Sequence, residues 1–254
     1  MQLFDSPATQ NFTVINGPNA TSSIALHYDA PTQTYEIAVD DAVGQALRGC
    51  GCNNPELYRY GPEANPGSFV SHGGTGIGFA FSTIGQWFDP GGSTGLAAIG
   101  EATPANGVPL LGSANYYGQI VGDTDAQPGQ GFTRSKISGT IQLGFDFASG
   151  SLTGQIAPTI SYMATNAGPW DFPISQQLGP ISFVDTVHAV GSTQFSGRFD
   201  TNLAGANSFD GMFTGPGAEE LIGKWTLPFI WSSDPQAGGD GQLHSSWGVM
   251  IGQR

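Results

Sequence analysis

Basic residues are scarce in this chain. Lys and Arg together number seven against 20 Asp and Glu, for a formal net charge of −13. Lys136 and Lys224 are the two lysines. Direct binding of DNA or RNA sets cations against phosphates, and so few cations exclude it as a principal role. An anionic membrane surface is disfavoured for the same reason, whereas a cationic patch on a partner, or simple solubility, fits the charge. Long hydrophobic runs are also missing. No stretch approaches 18 apolar residues, so no membrane-spanning helix is expected. Met1 to Gln10 carries neither the basic stretch nor the apolar core of a signal peptide. The chain is therefore expected to be cytoplasmic or to begin after a removed export segment. Its low Lys content and its richness in Gly, Ser and Thr have the look of an exported bacterial surface protein.

Cysteine is nearly absent. The two residues lie together as Gly49-Cys50-Gly51-Cys52. A bridge across one residue is strained and closes almost no loop. A metal site would want a second pair nearby. A strained loop disulfide, inert free thiols, and a redox or metal pair all stay open, in that order.

Glycine and proline are abundant instead, at 39 and 17 of 254 residues. Inside helices they would cost about 1 kcal/mol per Gly and about 3 per Pro, so a helical fold is excluded. Disorder is excluded too, because 39% hydrophobic and 11% aromatic residues can fill a core. An all-β chain with many turns remains.

Strict alternation marks the second half. Ile137, Gly139, Ile141, Leu143, Phe145 and Phe147 share one face, with polar residues between them. Leu152, Gly154, Ile156, Ile160 and Tyr162 form the next face. Phe195, Gly197 and Phe199 follow, then Phe209, Gly211 and Phe213. Leu221, Gly223, Trp225, Leu227, Phe229 and Trp231 make the longest face. Leu243, Trp247, Val249 and Ile251 make the last, and Ala114, Tyr116, Gly118 and Ile120 an earlier one. The pattern predicts eight strands at about 113–122, 136–148, 151–163, 181–190, 193–200, 207–214, 221–231 and 243–252. Short links imply antiparallel neighbours, and eight of them predict an up-and-down barrel that removes its own edges. Glycines in phase with large aromatics predict tight curvature around a filled interior, with no ligand cavity in the barrel.

The first hundred residues differ. Asn11–Ile15, Ser23–Tyr28 and Thr34–Val39 read as short strands, and Ala42 to Pro109 as Gly-rich and irregular. The division predicted is a smaller irregular β subdomain over 1–108 and a barrel over 109–254, with the boundary between Thr103-Pro104 and Pro109.

Several segments together resemble a known family. Phe209-Asp210-Gly211-Met212-Phe213-Thr214-Gly215-Pro216-Gly217-Ala218-Glu219-Glu220-Leu221-Ile222-Gly223 resembles the late strand–turn–strand of the transferrin-binding protein B-like barrel. Glu101 to Pro104, Pro109 and Gly112 to Gly118 are similar to its entry into the first barrel strand. Phe145-Asp146-Phe147 through Gly150, Leu152 and Gly154 is similar to its D-F-x-x-G-x-x-x-G hairpin, and Thr32 to Val39 to the short early hairpin strand of its single-lobe members. The resemblance covers most of 23–254 and is vague between Gly44 and Ser82. It implies a handle-like subdomain before an eight-stranded barrel. It also implies a bacterial surface or secreted binding protein, often a lipoprotein. Such a protein works with an outer-membrane transport partner such as a TonB-dependent receptor to acquire iron, haem or another solute. The departures are one lobe where transferrin binders have two, no lipidation Cys after a signal, and Gly217 and Ile222 where Asn and Gly are common.

Candidate sites each have a plainer reading. Gly215, Pro216, Ala218, Glu220 and Gly223 read as a fold-defining turn rather than a binding loop, since Pro fixes φ, Gly permits positive φ and a carboxylate caps N–H groups. Gly91-Gly92-Ser93-Thr94-Gly95 matches the string around a hydrolase serine, with Asp185 before His188 or His244 as partners. No buried strand or following helix frames it, so catalysis is not expected. His27, His72, His188 and His244 lie far apart and read as structural histidines rather than haem or metal ligands. Asp123 and Asp125 lack the rest of a calcium loop. The loop from Ala164 to Pro180, with Trp170, Asp171 and Phe172, reads as a self-packed loop or a recognition surface. Tyr58 and Tyr60 are a second candidate surface. The expected partner is a protein or small solute, no cofactor is expected, with haem or iron as the alternative, and the chain is expected to be a monomer.

Overall fold

The computed structural model describes residues 10–18, 23–31, 34–39, 42–48, 57–60, 67–71, 78–88, 94–127, 135–162, 174–232 and 239–254. Among them there are strands and turns but no helix. Consequently no helix of the described residues is long and apolar enough to cross a membrane.

The N-terminal sheet uses β1 (Gln10–Asn11), β2 (Thr13–Asn16), β3 (Ile24–Asp29), β4 (Thr34–Val39), β5 (Ala42–Arg48), β6 (Leu57–Tyr60), β7 (Gly67–Ser71), β8 (Ser82–Phe88) and β9 (Thr94–Gly100). Its order is β1-β3-β4-β5-β6-β7-β8-β9-β2. The two outermost strands are one stretch of chain, split at Phe12. Gln10 and Asn11 pair with β3 while Thr13 to Asn16 pair with β9, so the sheet rolls up on itself. Phe12, Leu26, Ile37, Trp87 and Ile99 fill the roll.

The second sheet is the predicted barrel. It runs through β10 (Ser113–Thr124), β11 (Lys136–Asp146), β12 (Ser151–Tyr162), β14 (Ile181–Val187), β15 (Gln194–Phe199), β16 (Ser208–Thr214), β17 (Glu220–Ile230) and β18 (Leu243–Gln253). Between β12 and β14 a short β13 (Ile174–Gln177) shares the edge of β12. β10 pairs with both β11 and β18, which closes eight antiparallel strands into a ring. The fold class read from alternation is therefore the observed one.

Inward-facing side chains fill the ring. Phe145 packs edge-on against Phe195 and Phe213 at centroid distances of 5.2 and 4.8 Å. Glycine makes room for such rings. Gly211 lies opposite Phe195 and Gly197 opposite Phe209 in one ladder. A Cβ on Gly197 would sit 2.5 Å from the Phe209 ring, and one on Gly211 would collide with Phe195. Each phenyl lies over the bare backbone of its cross-strand partner.

Three sequence expectations change. The segment 42–100, read as irregular, holds five ladder strands. β8 and β9 lack alternation because they are covered on both faces, by the handle core and by the barrel wall. In β18, Val249 and Ile251 do not line the interior. They face Ile84, Leu96 and Ala98 of the handle, and Met250 points into the barrel. Ile222 joins the same outer cluster. The expected loop 164–180 includes strand β13 at its C-terminal side.

Candidate functional site

Turn chemistry builds the joint between the two sheets. β16 must reverse into β17, and Gly215 (φ +83°) and Ala218 (φ +60°) take left-handed conformations to do so. That reversal places Glu220 against the start of β8. Its carboxylate accepts the N–H of Ala80 at 2.6 Å and of Phe81 at 3.1 Å. Burial pushes the Glu220 carboxyl above its ordinary pKa, although these N–H donors and Ser82 pull the other way. The hydroxyls of Ser82 and Thr214 share a buried hydrogen bond of 2.5 Å.

The same turn is held from the barrel side. Thr103 Oγ1 donates to the Gly215 carbonyl at 2.8 Å, and Tyr116 Oη to the Ala218 carbonyl at 2.6 Å. Arg254 Nε also donates to Ala218 at 2.9 Å, and its Nη2 donates to the Gly217 carbonyl. Pro216 is exposed at the tip, and Gly223 lies where a Cβ would meet Met250. The handle is thus fixed on the barrel by directional bonds as well as by the apolar cluster around Ile222.

Beside this joint lies a cleft of about 810 Å³. One wall is strand β2, and the other is the outer face of β15 and β16, with Lys224 of β17 behind them. Lys224 stands opposite Asp210 in the ladder but forms no ion pair among the described residues. Asn16, on the β2 wall, has its side-chain oxygen buried with no hydrogen-bond donor. Nothing in the sequence marks these residues, because they come together only when the handle docks.

The residues singled out from sequence are scattered. Trp170, Asp171, Phe172, Cys50, Cys52, His72 and Ser93 lie outside the described residues. Tyr58 and Tyr60 fall on β6, and their side chains lie outside the described set. His27 bonds Asn11 at 2.8 Å. His188 is buried among Phe145, Phe147 and Phe213, with Nε2 3.2 Å from the Ser192 carbonyl. Burial depresses its pKa. Asp185, its proposed triad partner, instead pairs with Arg198 at 3.3 Å. His244 lies at the far end of the barrel between Asp125 at 3.2 Å and Asp240 at 3.0 Å. Asp123 pairs with Lys136. Among the described residues, no three His, Cys, Asp or Glu gather as a metal site would require.

A rolled handle clamped to a filled eight-stranded barrel, with a cleft beside the clamp, defines a handle-and-barrel lobe. Solved structures share this fold. Transferrin-binding protein B from Haemophilus parasuis Hp5 superposes with a TM-score of 0.51 at 12% identity, over 96% of this chain and 46% of that one. Transferrin-binding protein B from serogroup B Neisseria meningitidis gives 0.49 at 14% identity, over 98% and 45%. HpuA from Kingella denitrificans, solved with human haemoglobin, gives 0.48 at 13% identity, over 97% and 89%. The chain spans about half the length of these transferrin-binding proteins. No family model and no curated protein matches it. The likeness is one of fold, that of a transferrin-binding protein B lobe.

Proposed function

We propose that this chain is a non-enzymatic binding protein of the bacterial surface or of the secreted kind. It captures a host or environmental protein, or a solute, for uptake in nutrient acquisition. The observation that carries this is the division of the molecule into a filled barrel and a rigidly docked handle. Aromatic side chains occupy the interior, so ligands are met on outer faces and loops, and the fixed joint presents a preformed cleft. The fold shared with a named transferrin binder supports the same class. Delivery to a TonB-dependent receptor is part of the proposal, with iron or haem as the candidate cargo. Pull-downs with the folded chain against outer-membrane receptors and haem proteins test it. Specific retention of one of them is expected, and retention of none would count against the reading.

A second reading is a small-ligand carrier, for haem or a siderophore. The cleft volume of about 810 Å³ between handle and barrel favours it. Haem titration tests this version. A Soret shift lost on substituting a cleft residue supports it, and an unshifted spectrum removes haem.

A further inference from the structure

The open edge of β2 has a defined hydrogen-bonding pattern. Gly17 N–H donates to the Leu96 carbonyl at 2.9 Å, continuing the β2–β9 ladder in which Asn16 faces Ala97. Antiparallel pairs alternate between bonded and non-bonded, so Ile15/Ala98 and Thr13/Gly100 are bonded pairs like Gly17/Leu96. The N–H and C=O groups of Val14 and Asn16 therefore point the other way.

On that other side lies β3, but only at first. Gln10 and Asn11 pair with it, and Phe12 N–H donates to Leu26 at 3.0 Å. Beyond Phe12 the β3 ladder stops, and β2 is the last strand in the sheet order. The backbone groups of Val14 and Asn16 have no backbone partner among the described residues. The Asn16 side-chain oxygen, buried and without a donor, belongs to the same strand. All of β2 lines the cleft, and Ser196, Asp210, Met212 and Lys224 form its floor.

We propose that the cleft takes an extended polypeptide segment of a partner protein, which adds as a strand to the free edge of β2. This rests on the reading of the chain as a protein-binding protein. A backbone in β conformation offers donors and acceptors at the two-residue spacing that Val14 and Asn16 present. A planar haem or a compact solute offers no such row. The floor sets the side-chain preference: an apolar residue reaches Met212, and alternate residues face away from the barrel. The net charge of −13 favours a neutral or basic segment.

The test uses the full chain and a phage-displayed library of random peptides, followed by anisotropy titration of the enriched peptides. Val14→Pro removes an edge N–H without breaking a bond to β9, and proline is tolerated on such edges. Val14→Ala keeps the N–H and serves as control. Enriched peptides are expected to alternate, to bind Val14→Ala as they bind wild type, and to lose about tenfold or more in affinity for Val14→Pro. In the wild-type protein, bound peptide is expected to slow amide exchange at Val14 and Asn16, a readout that stands if Val14→Pro does not fold. No enriched peptide, or peptides that leave those amides unprotected, would overturn strand addition. Peptides that bind elsewhere would still leave the protein-binding reading intact, since the pull-down tests that separately.

Discussion

The carboxylate of Glu220, at the first residue of a barrel strand, accepts the backbone N–H of Ala80 in the handle at 2.6 Å. A buried acid thereby joins two sheets that are far apart in sequence. Because burial raises the Glu220 pKa above its ordinary value of 4.5, the folded chain holds this proton more tightly than the unfolded chain. Its contribution is full below the unfolded value and is lost as pH rises through the folded one. Wild type is therefore expected to lose stability relative to Glu220→Gln as pH rises above about 4.5. Urea denaturation at a series of pH values measures this, and parallel curves for the two proteins would contradict it.

His188 has the opposite sign. Burial lowers its pKa from 6.5, so the unfolded chain binds the proton more readily. Its contribution is present above the unfolded value and is lost as pH falls through the folded one. Its Nδ1 is buried without a partner. His188→Phe would add a ring to those of Phe145, Phe147 and Phe213. It is expected to keep near-wild-type stability at neutral pH and to gain relative to wild type below about pH 6.5. Thermal melts at neutral and mildly acid pH check the crossover.

Gly211 faces Phe195 across the ladder. Gly211→Ala would press a methyl into the ring, an overpacking that costs about 1–3 kcal/mol. Phe195→Leu in the same chain is expected to recover part of that loss, whereas on its own it destabilises. A double-mutant cycle in urea gives the coupling. Additive effects would mean the ring and the glycine do not depend on each other.

Tyr116 is fully buried and donates to the Ala218 carbonyl at 2.6 Å. Tyr116→Phe removes this donor, together with the 3.2 Å contact its hydroxyl accepts from Arg254 Nε, whose single N–H still serves the carbonyl. The expected loss is about 1 kcal/mol, the net worth of one hydrogen bond. Arg254→Ala combined with Tyr116→Phe is expected to cost more than the sum of the two, because Ala218 then loses both donors. Denaturant midpoints of the four proteins decide it.

The barrel was legible because its strands obey a local rule. From Ile137 to Phe147 every second residue turns to the interior, and the hairpin to Leu152 is short, so neighbouring strands and their faces follow from the sequence. The in-phase glycines announced curvature for the same reason. The rule failed where a strand has two dry faces. In β9, Leu96 and Ala98 meet the barrel while Ala97 and Ile99 meet the handle core, and the alternation disappears. In β18, Val249 and Ile251 kept the period but face the handle, with Met250 turned inward. Period alone does not say which side a partner covers.

The candidate site was less legible. Trp170, Phe172, Tyr58 and Tyr60 stand out by residue type, but the cleft is made of Asn16, Asp210, Met212 and Lys224, which do not.

Abundant glycine and proline and two-residue alternation were enough by themselves to determine an all-β chain with a closed, filled barrel. Each depends on residues close in sequence. Docking of the handle, the Glu220 grip on Ala80, the outward turn of Val249 and the free edge of β2 were decided only by the tertiary structure. They depend on which surfaces, distant along the chain, bury one another, and burial between sheets carries no local periodic signature.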